Sequence, residues 1–232
     1  MAIQQPEHAP WVGFFNKIMQ CDLFLLLDNV QFKRRYYENR NKVKTKDGTL
    51  WVMVPVESKS KRKQKINEVR IQENLRWKNK YIGTLEFAYR KSPFWGDVEA
   101  LIVPVLLKKH INLLSLNEEI ILKVCNYLGV ATHIELASRY KKNNHTGSEL
   151  ILELCKATTA STYISGPDGK NYLDSTKFEQ ANINIVYHHF IHPAYSQLNG
   201  EFVSHQSVID LIANHGPASA SIIRECYNIN FQ

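Results

Sequence analysis

The chain has 232 residues, 44% of them hydrophobic, 22% charged and 11% aromatic, with a formal net charge of +7. This profile excludes a disordered or fibrous chain, and the length is enough for a core that needs neither disulfides nor a structural metal. The longest apolar run, Leu23 to Leu27, is closed at once by Asp28, so no membrane span is expected. The N-terminal Met-Ala-Ile-Gln-Gln-Pro has neither the basic nor the apolar region of a signal peptide, and the expected location is the cytoplasm, with reduced thiols. Cys21, Cys125, Cys155 and Cys226 form no C-x-x-C pair and read as small buried hydrophobes. Residues 1 to 91 hold 19 Lys and Arg against 9 Asp and Glu, whereas residues 92 to 232 hold 10 against 13. A basic first part of this kind points to a polyanionic partner.

In chain order, Ala2 to Gln4 reads as a short strand, Pro6 and Pro10 bracket a loop, and Trp11 to Met19 forms a helix with Trp11, Phe14, Phe15 and Ile18 on its apolar side. Leu23 to Leu27 is continuously apolar, as a strand covered on both faces should be. Residues 42 to 72 read as a basic, antiparallel insertion. In it, the Lys46-Asp47-Gly48 turn precedes a strand over Leu50 to Val56, Lys59 to Lys65 form a basic loop, and Ile66 to Ile71 is strand-like. Helices are expected from Glu73 to about Lys91, over 97 to 109, and over 115 to 128. Thr146 with Glu149 forms a capping box before a helix to about Lys156. Strands follow at Thr162 to Ser165 and Ile183 to Tyr187, then helices near 204 to 214 and 217 to 226. Strands alternating with helices make this an α/β fold with a mainly parallel sheet in one domain. Ligands in such folds gather at the carboxyl ends of the strands, here the loops after residues 4, 27, 165 and 187.

Those loops hold the candidate residues. The first, Gln5 to Trp11, precedes a helix N-terminus and carries His8, a candidate proton carrier. It faintly resembles the His-x-Gly-His loop of nucleotidylyltransferases, with Trp11 standing where the second histidine would be. The second carries Asp28, placed like a base or a ribose or metal ligand, together with Gln31, Lys33, Arg35, Asn39, Arg40 and Asn41, which supply hydrogen bonds and phosphate contacts. Its interleaved aromatics also suit stacking on bases. In the third, Gly166 and Gly169 allow close backbone approach, and Lys170 and Tyr172 flank the ligand side. In the fourth, His188 and His189 would point to opposite faces of a strand, so no metal site is expected, while His192 is read as ligand-facing. Cys155 lies on the apolar side of a helix, and no G-x-S-x-G surrounds Ser204 or Ser207.

Taken together, the blocks Gln5-Pro6, Pro10-Trp11-Val12-Gly13-Phe14-Phe15, Leu27-Asp28-Asn29-Val30-Gln31-Phe32, Asn39-Arg40-Asn41, Trp51 with Val54-Pro55-Val56, Gly166-Pro167 with Gly169 and Tyr172-Leu173, His192-Pro193 with Tyr195 and Gln197, and Ser207 with Asp210 resemble the WbqC-like proteins. They run in order over nearly the whole chain. His8 is a departure, since an aromatic such as tyrosine is usual there. The resemblance implies a cytoplasmic enzyme of bacterial surface-polysaccharide (O-antigen) synthesis, acting on a nucleotide-linked deoxyamino sugar and joining an acyl or aminoacyl group to its amine. The donor would be acyl-CoA, carrier-bound or ATP-activated. Such chemistry needs a base and oxyanion donors. The candidate bases are Asp28, His192 and His8, and the candidate donors are Asn39, Asn41 and Gln197. Trp11 and Tyr195 complete the substrate-binding set, and Trp11, Tyr36 or Tyr37 would stack on the base. A homodimer is an open expectation. The rival readings are a noncatalytic nucleic-acid-binding module and an ATP-dependent ligase or nucleotidylyltransferase.

Overall fold

The computed structural model describes residues 1–57, 63–72, 74–140 and 143–226. Five parallel strands form the main sheet: β1 (Ala2–Gln4), β2 (Leu23–Leu26), β5 (His133–Leu136), β6 (Thr162–Ser165) and β7 (Asn184–Tyr187), in the spatial order β5-β2-β1-β6-β7. A separate antiparallel ribbon is made by β3 (Arg40–Thr45) and β4 (Gly48–Met53). The helices are α1 (Val12–Met19), α2 (Leu75–Tyr89), α3 (Trp95–Leu107), α4 (Leu113–Tyr127), α5 (Gly147–Ala157), α6 (Ser175–Gln180), α7 (Val208–His215) and α8 (Ser219–Glu225). The fold is α/β, as the alternation of apolar strands and amphipathic helices requires.

The sheet is covered on both faces, and the two-residue period of its strands sorts their side chains between two cores. Ala2, Phe24 and Leu26 join one core with α1, α3, α4 and α7, while Ile3 and Leu25 join the other with α5, Tyr163 and Phe178. β2 is therefore apolar without alternation: its Phe24, Leu25 and Leu26 are all fully buried. From β1 the chain crosses to β2 on one side, and β6 with β7 lies on the other. The β1/β6 boundary is thus the topological switch point, where the loops leaving the two strands diverge and open a crevice.

The hairpin forms where the Lys-Asp-Gly turn predicts it. Thr45 pairs with Gly48, Gly48 adopts φ +110°, which favours glycine, and Thr45 Oγ1 donates to the Gly48 carbonyl at 2.9 Å. Val43 and Val52 anchor the ribbon in the core. The stretch Ile66 to Ile71 differs from expectation. It begins as a 3-10 turn, Ile66–Glu68, in which Glu68 accepts from the Lys65 N–H at 2.8 Å. It then makes only isolated bridges, Val56 with Ile71 and Arg70 with Asn112. Of the basic loop, residues 58 to 62 lie outside the described residues, as does Glu73. The capping box at Thr146 does not close: Thr146 is the N-cap without a side-chain bond, and Glu149 turns to Lys177 at 3.1 Å. The closing helix α7 starts at Val208, because Ser207 caps it. No helix among the described residues is long and apolar enough to cross a membrane.

Candidate functional site

The loop from β1 to α1 is shaped by buried amides gripping its backbone. Asn117 Nδ2 donates to the carbonyls of Pro6 (3.1 Å) and Glu38 (2.7 Å). Asn41 Nδ2 donates to His8 (3.1 Å) and Ala9 (2.9 Å), and Ser207 Oγ donates to Ala9 at 2.7 Å. The His8 N–H reaches the Tyr37 carbonyl at 2.8 Å, and Ala9 is held at φ +41°. The loop is therefore fixed by groups from the hairpin, α4 and α7 rather than by its own sequence. Asn41, expected as a substrate donor, is one of those clamps, and Asn39 similarly donates to Val54 at 2.9 Å.

His8 points inward from this loop. It is fully buried, with Nδ1 on Asn117 Oδ1 (2.9 Å) and Nε2 on the Tyr81 hydroxyl (2.9 Å). Because the amide oxygen only accepts, Nδ1 carries the proton and Nε2 accepts from Tyr81. Burial pulls the imidazole down to about 4, so it stays neutral within a packed network. Its neighbour Glu7 faces the other way, into a cleft of about 570 Å³ at the switch point.

Glu7, Lys17 and His188, from different elements, border this cleft along with Lys33, Asp168 and His205. Glu7, on the β1–α1 loop, receives one hydrogen bond, from Gln4 Nε2 at 3.1 Å, and its Oε2 is sealed from water without a donor. Burial pushes its carboxyl up to about 7; the Gln4 bond opposes the shift and the nearby Glu38 adds to it. Lys17, one turn from the end of α1, is 3% exposed and donates to the Ile3 carbonyl at 3.2 Å. Burial pulls its amine down to about 8 against the attraction of Cys21 and Glu7. His188, just past β7, bonds through Nε2 to Asn16 Oδ1 at 2.8 Å, and burial together with Lys17 lowers it to about 4. Groups displaced toward neutrality and gathered in one crevice mark a candidate site. The walls are largely aromatic and carry charge of both signs: Trp11, Lys33, Tyr36 and Tyr37 on one side, Tyr163, Gly166, Asp168 and Tyr172 on the other. Lys33 Nζ sits 5.2 Å above the Tyr36 ring, and Trp11 stacks on His205 at 5.0 Å.

The sequence-derived candidates divide between this cleft and other tasks. Trp11, Lys33, Gly166 and Tyr172 border the cleft. Asp28, at the end of β2, does not. It is buried, accepting from Ser138 N (2.9 Å) and Asn67 Nδ2 (3.1 Å), and so ties three segments together. Gln31 forms a bridge with Lys65. Arg35 lies at φ +59° and its carbonyl accepts from Arg40. The Arg40 guanidinium packs 4.0 Å from the Trp51 ring, on the hairpin. Lys170 lies 5.0 Å above Tyr187. His192 sits among Trp11, Tyr195, Phe202 and His205. Its Nε2 accepts from the His205 N–H at 3.1 Å, which leaves Nδ1 to donate to the Pro193 carbonyl at 2.8 Å. Tyr195 and Gln197 both donate to Asp210, at 2.9 and 2.7 Å.

Glu7 and Lys17 were not singled out by sequence. Glu7 had a signal, an acid between two prolines directly after the first strand. Lys17 had a subtler one, a cation within the apolar Phe14–Ile18 face of α1. Cys125 and Cys155 are buried, with thiols pushed up to about 12, so neither is a nucleophile. Among the described residues no group of three or more His, Cys, Asp or Glu is placed to hold a metal ion. A second cavity, of about 400 Å³, is lined by Leu75, Trp77 and Leu107, away from the sheet's carboxyl edge.

The chain is similar over almost its full length to the uncharacterized protein Rv1507c of Mycobacterium tuberculosis, with 31% identity over 228 residues, 97% of this chain and 98% of the relative. No solved structure matches it significantly. The model of the WbqC-like protein family matches residues 5–222, which include Glu7, Lys17 and His188, and the chain belongs to that family.

Proposed function

We propose that the cleft transfers an acyl or aminoacyl group to the amine of a nucleotide-linked deoxyamino sugar. The observation that carries this reading is Glu7, a carboxylate at the switch point with one oxygen sealed and unpartnered, raised by burial to about 7. A sugar amine enters as an ammonium and must lose a proton before it attacks an acyl carbon. A base that titrates near neutrality is matched to that step. Lys33 at the cleft mouth supplies a cation for the diphosphate, and Tyr36 and Tyr37 supply faces for the nucleobase. Gln4 and Tyr172 offer hydrogen bonds to sugar hydroxyls. His8 and Asp28 keep structural partners in this scheme, and the diphosphate contact passes from Arg40 to Lys33.

A screen of thermal stability against dTDP, UDP, GDP, their amino sugars, acyl-CoA, ATP with magnesium, and an oligonucleotide tests it. Stabilisation by one nucleotide amino sugar, lost in Lys33→Ala and kept in Arg40→Ala, supports the reading. A ligand at 100 times its dissociation constant adds about 2.7 kcal/mol, enough to read as a shift in melting temperature. A response to the oligonucleotide alone, falling steeply with salt, would replace it with nucleic-acid binding.

A further inference from the structure

Lys17 and Lys44 are both buried cations whose amines rest on a backbone carbonyl, but of the two only Lys17 borders the cleft. It is 3% exposed, and its amine has a single hydrogen bond, to the Ile3 carbonyl at 3.2 Å. Among the described residues no carboxylate lies within ion-pair distance of it. A buried lysine is normally neutralised by a close partner, because an isolated ammonium in a low-dielectric site is costly. Here the one acceptor is a neutral carbonyl on β1. That bond fixes the direction of Nζ, while Glu7 and Cys21, without an ion pair, offset only part of the cost of burying its charge.

We propose that Lys17 is an imine-forming nucleophile and that the cleft takes a carbonyl compound of the hydroxy-aldehyde or hydroxy-ketone class. The inference goes beyond amide transfer and does not rest on it. The neutral amine attacks the carbonyl carbon; the C–N bond forms as the C=O π pair moves to oxygen, and proton transfer gives a carbinolamine. The nitrogen lone pair then forms C=N while the hydroxyl leaves as water, taking a proton from the Glu7 carboxyl. Glu7 recovers a proton from nitrogen, and the balance is amine plus carbonyl to imine plus water. The step needs a neutral amine and a protonated acid together, and the burial of both groups favours these forms near neutral pH. The surroundings suit a polyhydroxylated carbonyl compound: the Gln4 amide and the Tyr163 and Tyr172 side chains border the same cleft, and His188, donating through Nε2, keeps Nδ1 as an acceptor.

The test treats the full chain with glyceraldehyde and cyanoborohydride at pH 7.5 and maps reduced adducts by peptide mass spectrometry. The expected result is capture at Lys17 on the order of tenfold faster than at exposed lysines such as Lys46 and Lys80. The rate at Lys17 should rise through about pH 8, and Lys17→Met should remove this adduct alone. Labelling of exposed lysines with Lys17 unmodified, or modified no faster, overturns the proposal. The wild-type peptide map decides even where the variant does not fold. Capture needs no acyl donor, so failure of the transferase reading leaves this result standing, and the reverse holds as well.

Discussion

Asp210 and Glu7 are two carboxylates of this protein held under opposite regimes. Asp210, on α7, is 1% exposed and accepts from three side chains: Tyr89 at 3.0 Å, Tyr195 at 2.9 Å and Gln197 at 2.7 Å. Burial raises its pKa while those donors hold it down. Glu7 is only partly buried as a residue, but its carboxylate has one donor and one sealed, empty oxygen. A satisfied buried carboxylate organises structure; an unsatisfied one is held in a poorly solvated state by the rest of the fold and remains reactive. The difference separates the part of the molecule that maintains the fold from the part assigned to chemistry.

The sharpest way to break the comparison is to remove both acids. Asp210→Ala leaves two phenol hydroxyls and an amide without their acceptor, and should cost about 3–5 kcal/mol in denaturant unfolding. A loss below about 1 kcal/mol would mean that water replaces the carboxylate. Glu7→Gln should do the reverse, lowering kcat/KM for the proposed amide transfer by about 100-fold or more, or ~2.7 kcal/mol in transition-state terms, without loss of stability. Because the folded-state pKa of Glu7 lies above the unfolded value, its contribution is present below the unfolded pKa and fades as pH rises through about 7. Glu7→Gln should therefore be more stable than wild type above pH 7, by about 1–2 kcal/mol after allowance for its partial exposure, and equal to it near pH 4. Activity of the wild type should fall as pH drops below about 7.

Smaller effects refine the picture. Gly13 lies beneath the Trp11 indole, where an added Cβ would fall 2.3 Å from the ring. Gly13→Ala should displace the ring and cost about 1–3 kcal/mol, with a matching loss of ligand affinity, because Trp11 forms part of the cleft wall. Arg40→Ala should change nucleotide affinity least, by under about 1 kcal/mol, since its guanidinium is spent on Trp51.

Legibility from sequence followed the physics of each signal. β2 was readable because a central parallel strand is apolar on both faces, and the short β1 and β6 were readable as brief stretches of β-compatible residues, Thr162–Ser165 matching residue for residue. The hairpin was readable from its turn. β5 went unseen because His133-Ile134-Glu135-Leu136 is an edge strand, partly exposed and too polar to stand out. Position at a strand end drew attention to Asp28, and ring chemistry to His8 and His192, but neither signal tells whether the surrounding fold has already supplied partners. Asn117, the amide that fixes the β1–α1 loop, is 109 residues from His8 and had no local signature. The unpartnered Oε2 of Glu7 is likewise a property of the folded chain, which alone reveals it.

The seat of Trp11 over Gly13, with its ring stacked 5.0 Å from that of His205, gives the protein an optical gauge. An indole whose emission is quenched by a stacked imidazole should brighten or shift in colour when a ligand separates the two rings. Trp51, Trp77 and Trp95 do not border the cleft and would provide a constant background. Occupancy could then be followed without a label, in real time and before any substrate is known.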